Sequence, residues 1–139
     1  MPGRKGLLAV LVLGVGSLAL GQQPPKIKRA PPENVSAANG PQMFRAYCAV
    51  CHGVDARGAG PAASALRKQP ADLTQLSRKN NGKYPVYRVV NVIQGADVIA
   101  SHGSRDMPVW GAVFRTMEPD TVKLRIDNLA SYIESIQRQ

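Results

Sequence analysis

Two cysteines and a histidine stand together in Cys48-Ala49-Val50-Cys51-His52, and Cys48 and Cys51 are the only cysteines among 139 residues. The spacing C-x-x-C-H reads as a covalent attachment site for haem of the c type. Two thiols must add across the two vinyl groups of one porphyrin, so they must project from the same side of the chain. Residues i and i+3 on a helical turn do so. A histidine directly after the second cysteine lies beneath the ring, where its imidazole can ligate iron. Two other chemistries use the same residues. Zinc held by Cys48, Cys51, His52 and His102 would have four ligands, but adjacent Cys51 and His52 fit a tetrahedron poorly. A redox-active thiol pair needs a strand–turn–helix frame that the chain lacks.

A haem iron with one histidine has a second axial position. A methionine there gives an electron carrier with a raised potential, because the soft thioether favours Fe(II). Met43 stands nine residues before His52, on the same helix, and cannot cross to the other face of the ring. Met117 falls where the last helix begins, a place for packing. Met107 lies in Ser101-His102-Gly103-Ser104-Arg105-Asp106-Met107-Pro108, 55 residues after His52, and Pro108 stiffens the chain beside it. Met107 is therefore the expected ligand. His102, five residues away, is its rival and would give bis-histidine ligation and a lower potential. Arg88, Arg105, Tyr84 and Trp110 are candidates to approach a propionate, and no spacing rule selects among them.

The elements that must position these residues read as helices. Asn39-Gly40-Pro41 starts the first, with Asn39 or Gly40 as cap, and Phe44, Tyr47, Cys48 and Cys51 follow on one face before Gly53 ends it. Glycines and prolines make residues 53–70 mostly loop, and Asp72 caps a short helix over Leu73 to Leu76. Pro85 opens another, with Val86, Val89, Val90 and Ile93 at i, i+3, i+4 and i+7 and Gly95 at its close. Residues 96–115 show no sustained period and read as loop. The last helix begins near Pro119 and carries Val122, Ile126, Leu129, Tyr132, Ile133 and Ile136. No strand pattern is convincing. The expected class is all-α, about four helices with long loops wrapped around one haem. A porphyrin would order those loops and supply apolar bulk that only seven aromatic residues do not.

The chain divides into three. Residues 1–21 have a charged start, an apolar run of 15 residues from Gly6 to Leu20 and a small-residue exit, the pattern of a secretory signal. That run is short for a membrane span, and an uncleaved membrane tether is the alternative. Residues 22–38 hold four prolines and read as an exposed flexible linker. Residues 39–139 are the folded domain. Export to the periplasm, or its equivalent outside the cytoplasm, suits thioether attachment. The net charge of +9 falls to +7 without residues 1–21, with 16 basic and 9 acidic residues. The basic residues are scattered and accompany no aromatic platform, which argues against nucleic acid and for steering toward an acidic docking patch on a redox partner.

Over residues 39–139 the chain resembles class I cytochrome c, the small monohaem electron carriers, in a bacterial subset. The resemblance rests on Gly40-x-x-x-Phe44, Cys48-Ala-Val-Cys51-His52-Gly53, Gly60-Pro61, Met107-Pro108-Val109-Trp110-Gly111 and Leu129-Ala-Ser-Tyr132-Ile133. It implies one covalent haem c per chain, with Cys48 and Cys51 as thioether sites and His52 and Met107 as axial ligands. It also implies that Gly40 and Phe44 meet Leu129, Tyr132 and Ile133 where the first and last helices cross, and that the Pro61 carbonyl accepts from His52 Nδ1. The implied function is exported one-electron transfer with no bond-making chemistry. The alternatives are a haem subunit of a larger oxidoreductase complex and a haem enzyme or gas sensor with an open iron.

Overall fold

The computed structural model describes residues 33–96 and 107–138. Among them there are four helices, with no strand. The first, α1, runs over residues 40–52. Its start is fixed as the composition requires: the Asn39 side chain accepts from the Gln42 amide at 3.0 Å, and Pro41 sits in the first turn. Within it, Phe44–Cys48 winds as a π turn, closed by the Ala49 amide on the Phe44 carbonyl. Gly53, at φ +79°, terminates it.

Helix α2, Val86–Gln94, buries Val89 and Ile93 and ends at Gly95 as expected, but Val86 at the head of its stripe is exposed. Helix α3, Trp110–Met117, lies where the sequence reads as loop. Trp110, Phe114 and Met117 do form a helical stripe. It spans only two turns and contains Gly111, a poor helix former, so it has no detectable period. Packing supplies what propensity does not, because a side chain at Gly111 would press 2.6 Å from the Gln94 carbonyl. Helix α4, Val122–Ser135, follows a 3-10 turn at Pro119–Thr121 and buries Ile126, Leu129, Ala130 and Ile133. The expected short helix after Asp72 is one 3-10 turn, Leu73–Gln75, capped by Asp72.

The frame is the crossing of α1 and α4. Gly40 lies against the Asn128 backbone and the Tyr132 Cβ with no room for a side chain, and Phe44 and Tyr132 rings meet at 5.2 Å. Tyr84 adds a tie, donating its hydroxyl to the Ala130 carbonyl at 2.8 Å. The chain end is held too, by Gln137 Nε2 on the Leu73 carbonyl and the Arg138 amide on the Thr74 carbonyl.

One expected boundary moves. Residues 33–38, read as the last part of the linker, are packed on the domain, with Val35 and Ala37 buried. Three side chains hold them: Tyr47 through its hydroxyl, Asn128, which donates to the Ala37 carbonyl at 2.8 Å, and Arg125, only 1 % exposed on α4. Its guanidinium donates to the Val35 carbonyl at 2.6 Å, to Asn34 Oδ1 at 3.3 Å and to Glu118 Oε2 at 3.2 Å, and lies 5.8 Å from the Phe114 ring centre. A buried guanidinium must be fully hydrogen-bonded, and the lead segment supplies the acceptors. No helix among the described residues is long and apolar enough to cross a membrane; residues 1–32 lie outside them.

Candidate functional site

Cys48, Cys51 and His52 occupy the last turns of α1, half-buried and on consecutive turns. The cysteines are free thiols. Burial, with Cys51 as a lesser cause, pushes the Cys48 thiol up to about 12, and burial raises that of Cys51. Both are thus neutral thiols rather than reactive thiolates, and no disulfide joins them.

The turn that carries them is held by its own continuation. The last carbonyls of a helix lack intrahelical partners. Here the chain folds back and supplies them: the Gly53 amide bonds to Ala49, Ala62 to Val50 at 2.8 Å, Gly60 to Cys51 at 3.0 Å and Gly58 to His52 at 2.7 Å. Gly60 is required at this approach, since a Cβ there would stand 2.5 Å from the Ala49 and Val50 carbonyls. That contact gives Gly60-Pro61 a physical reading.

His52 Nδ1 lies 3.0 Å from the Ala71 carbonyl. A carbonyl only accepts, so Nδ1 carries the proton and Nε2 keeps the lone pair that a metal needs. The expected acceptor, Pro61, does not hold this place. The fold-back uses residues 58–62 for the backbone of α1, and the next pass of the chain brings Ala71 to the ring. Ala71 is fixed from both sides. The Leu73 amide bonds to the Ala56 carbonyl at 2.8 Å, and Asp72 accepts from the Thr74 amide and hydroxyl at 2.9 and 2.6 Å. Burial opposes the Asp72 charge, but those bonds, with Lys79 and Arg138 nearby, hold its carboxyl below the usual range. Burial lowers the pKa of His52 and outweighs the Ala71 bond, which raises it, so the neutral form is favoured. A free thiol pair at i and i+3 and an imidazole of fixed tautomer fit a c-type haem.

Met107 is described and is 37 % exposed, three residues before the start of α3. Met43 is fully buried and Met117 partly buried against the core, both as packing residues. His102 and Arg105 lie outside the described residues, so of the four zinc candidates only Cys48, Cys51 and His52 are described. Among the described residues no three of His, Cys, Asp and Glu cluster as a metal site. Two propionate candidates are already engaged: the Tyr84 hydroxyl on Ala130, and Trp110 against Tyr47 and Phe114. Sequence reasoning missed Ala71, which acts through its backbone and leaves no side-chain signal. It also missed Arg125, whose signal is an arginine at a buried position of the α4 stripe.

Cys48, Cys51 and His52 lie together at one helix end, an arrangement that would suit a porphyrin with one imidazole toward its metal. No curated protein and no solved structure matches the chain. The family model described as cytochrome c oxidase, cbb3-type, subunit III matches residues 35–133, beginning at buried Val35. With that match over most of the domain, the chain belongs to this cytochrome c family, a monohaem, haem-binding electron-transfer domain.

Proposed function

We propose that the protein is an exported carrier of single electrons, with one haem c bound covalently through Cys48 and Cys51. His52 and Met107 are its axial ligands. The observation that carries this reading is the attachment turn itself: two free thiols at i and i+3 beside a histidine whose Nδ1 is committed to Ala71. When bound, the haem supplies one-electron chemistry at iron. The chain's residues do the rest. The loop at 53–72 fixes the imidazole, and the buried helical frame sets the low-dielectric surroundings that tune the potential. The redox partner is expected to carry an acidic patch, given the excess of basic residues. The leader at 1–21 supports export, since thioether attachment follows it.

A second reading is favoured by the family description, which names a subunit of an oxidase. In that case the same domain passes electrons inside a larger complex. Purification separates the two: a monomeric coloured protein supports the free carrier, and co-purification with a membrane oxidase supports the subunit. Ligation is tested by absorption spectra of the oxidised and reduced protein. Met107→Ala is expected to remove the far-red methionine–iron band, lower the potential and open the iron to carbon monoxide, whereas Met43→Ala does none of these. A band retained in Met107→Ala overturns the axial assignment.

A further inference from the structure

Tyr47 connects three stretches of chain that are distant in sequence. It is the residue before Cys48, within the π turn, and is buried. Its hydroxyl donates to the Glu33 carbonyl at 2.7 Å and accepts from the Val35 amide at 3.2 Å. Its ring meets Trp110 and Phe114, each at 5.4 Å, and those two rings stack at 5.6 Å. Trp110 opens α3, and only Pro108 and Val109 separate it from Met107. Pro108 has a fixed φ, and the Val109 side chain packs against Gly95, at the end of α2, so closely that a side chain there would overlap it. Met107 therefore hangs on a short, stiff connection whose anchor is the ring cluster beside Cys48.

We propose that Tyr47 is a positioning residue for the Met107 side of the site. Its ring, with Trp110, holds the methionine segment to the helix that bears the cysteines. Its hydroxyl is a separate tie to the lead segment. The proposal rests on Met107 being an axial ligand. If the ring is lost, the segment is released more often, and the sixth position is open in a larger fraction of molecules. The apparent affinity of an added ligand rises with that open fraction.

Imidazole binding to the oxidised holoprotein reads this directly. Tyr47→Ala is expected to bind imidazole about tenfold more tightly than the parent, with a weaker far-red band. Tyr47→Phe keeps the ring and loses the hydroxyl bonds, so its melting temperature falls while its imidazole affinity stays within about twofold. Trp110→Leu removes the other half of the contact and is expected to follow Tyr47→Ala; it decides the question if Tyr47→Ala does not accumulate with haem. Unchanged affinity in Tyr47→Ala or, where that variant does not accumulate, in Trp110→Leu overturns the proposal. So does an equal change in Tyr47→Phe, because the effect would then follow stability and not the ring. Met107→Ala keeps the two ideas apart. A far-red band that survives there means that the ligand reading itself has failed, and the role of Tyr47 falls with it.

Discussion

The attachment side of the site and the methionine side are held by different kinds of contact. Around His52, residues 49–72 form a backbone hydrogen-bonded unit, in which Gly53, Gly58, Gly60 and Ala62 take the last carbonyls of α1 and Ala71 takes the imidazole. The hydrogen bonds of that unit run within the same stretch of chain. Met107 is exposed, and its neighbours are placed by tertiary packing: Trp110 on Tyr47, Val109 on Gly95, Gly111 on Gln94. A locally built half can form early and present a ready surface for attachment. A packed half responds to changes elsewhere in the fold. The contrast suits the proposed site, in which one side would hold the haem covalently and the other would tune it.

Substitutions probe the contrast in descending order of effect. The largest is expected from the double change Cys48→Ala, Cys51→Ala, which removes both attachment points and gives protein without covalent haem on a denaturing gel stained for haem peroxidase activity. Gly60→Val should cost about 3 kcal/mol, since the new side chain meets backbone that has nowhere to move. Its signature is poor haem loading at unchanged expression, and normal loading would break the idea of a locally built half. Arg125→Met should cost about 2 kcal/mol, because the Val35 carbonyl loses a charged donor, while half-exposed Glu118 is rehydrated and contributes little. It is expected to free residues 33–38 to proteolysis and leave the His52 side intact. Equal protection of that segment in variant and parent would remove Arg125 from this role.

Tyr84→Phe is the smallest, about 1 kcal/mol for one lost hydrogen bond. It carries a distinct pH signature. Burial, with Glu134 as a lesser cause, raises the pKa of the Tyr84 phenol. In the unfolded chain it ionises at about 10, so above that pH the folded state holds a proton that the unfolded state has lost. The hydroxyl's contribution is complete below about pH 10 and falls as pH rises toward the folded value. Chemical denaturation of parent and variant should therefore differ at pH 8 and converge in strongly alkaline buffer. A constant difference would show that the phenol is not held neutral.

The sequence was most legible where chemistry needs side chains in a fixed pattern. Cys48, Cys51 and His52 fall on one helix end, and the α1–α4 crossing uses Gly40, Phe44 and Tyr132 as the motif implied. Three features were opaque for separate reasons. Ala71 serves through its carbonyl, and any residue has one. Helix α3 is too short and too dependent on Gly111 packing to show a period. Residues 33–38 have the composition of a tether, and they are fastened down by side chains distant in sequence: the buried guanidinium of Arg125, some ninety positions away, the Tyr47 hydroxyl and the Asn128 amide. Local pattern carries local structure, and contacts across the chain carry the remainder.

The most direct measurement is acid–acetone extraction of the mature exported protein, followed by a pyridine haemochrome spectrum of both phases. Colour that stays with the protein and gives a c-type spectrum is the expected result. Haem recovered in the organic phase, or colourless protein from cells that mature other c-type haems normally, contradicts thioether attachment at Cys48 and Cys51.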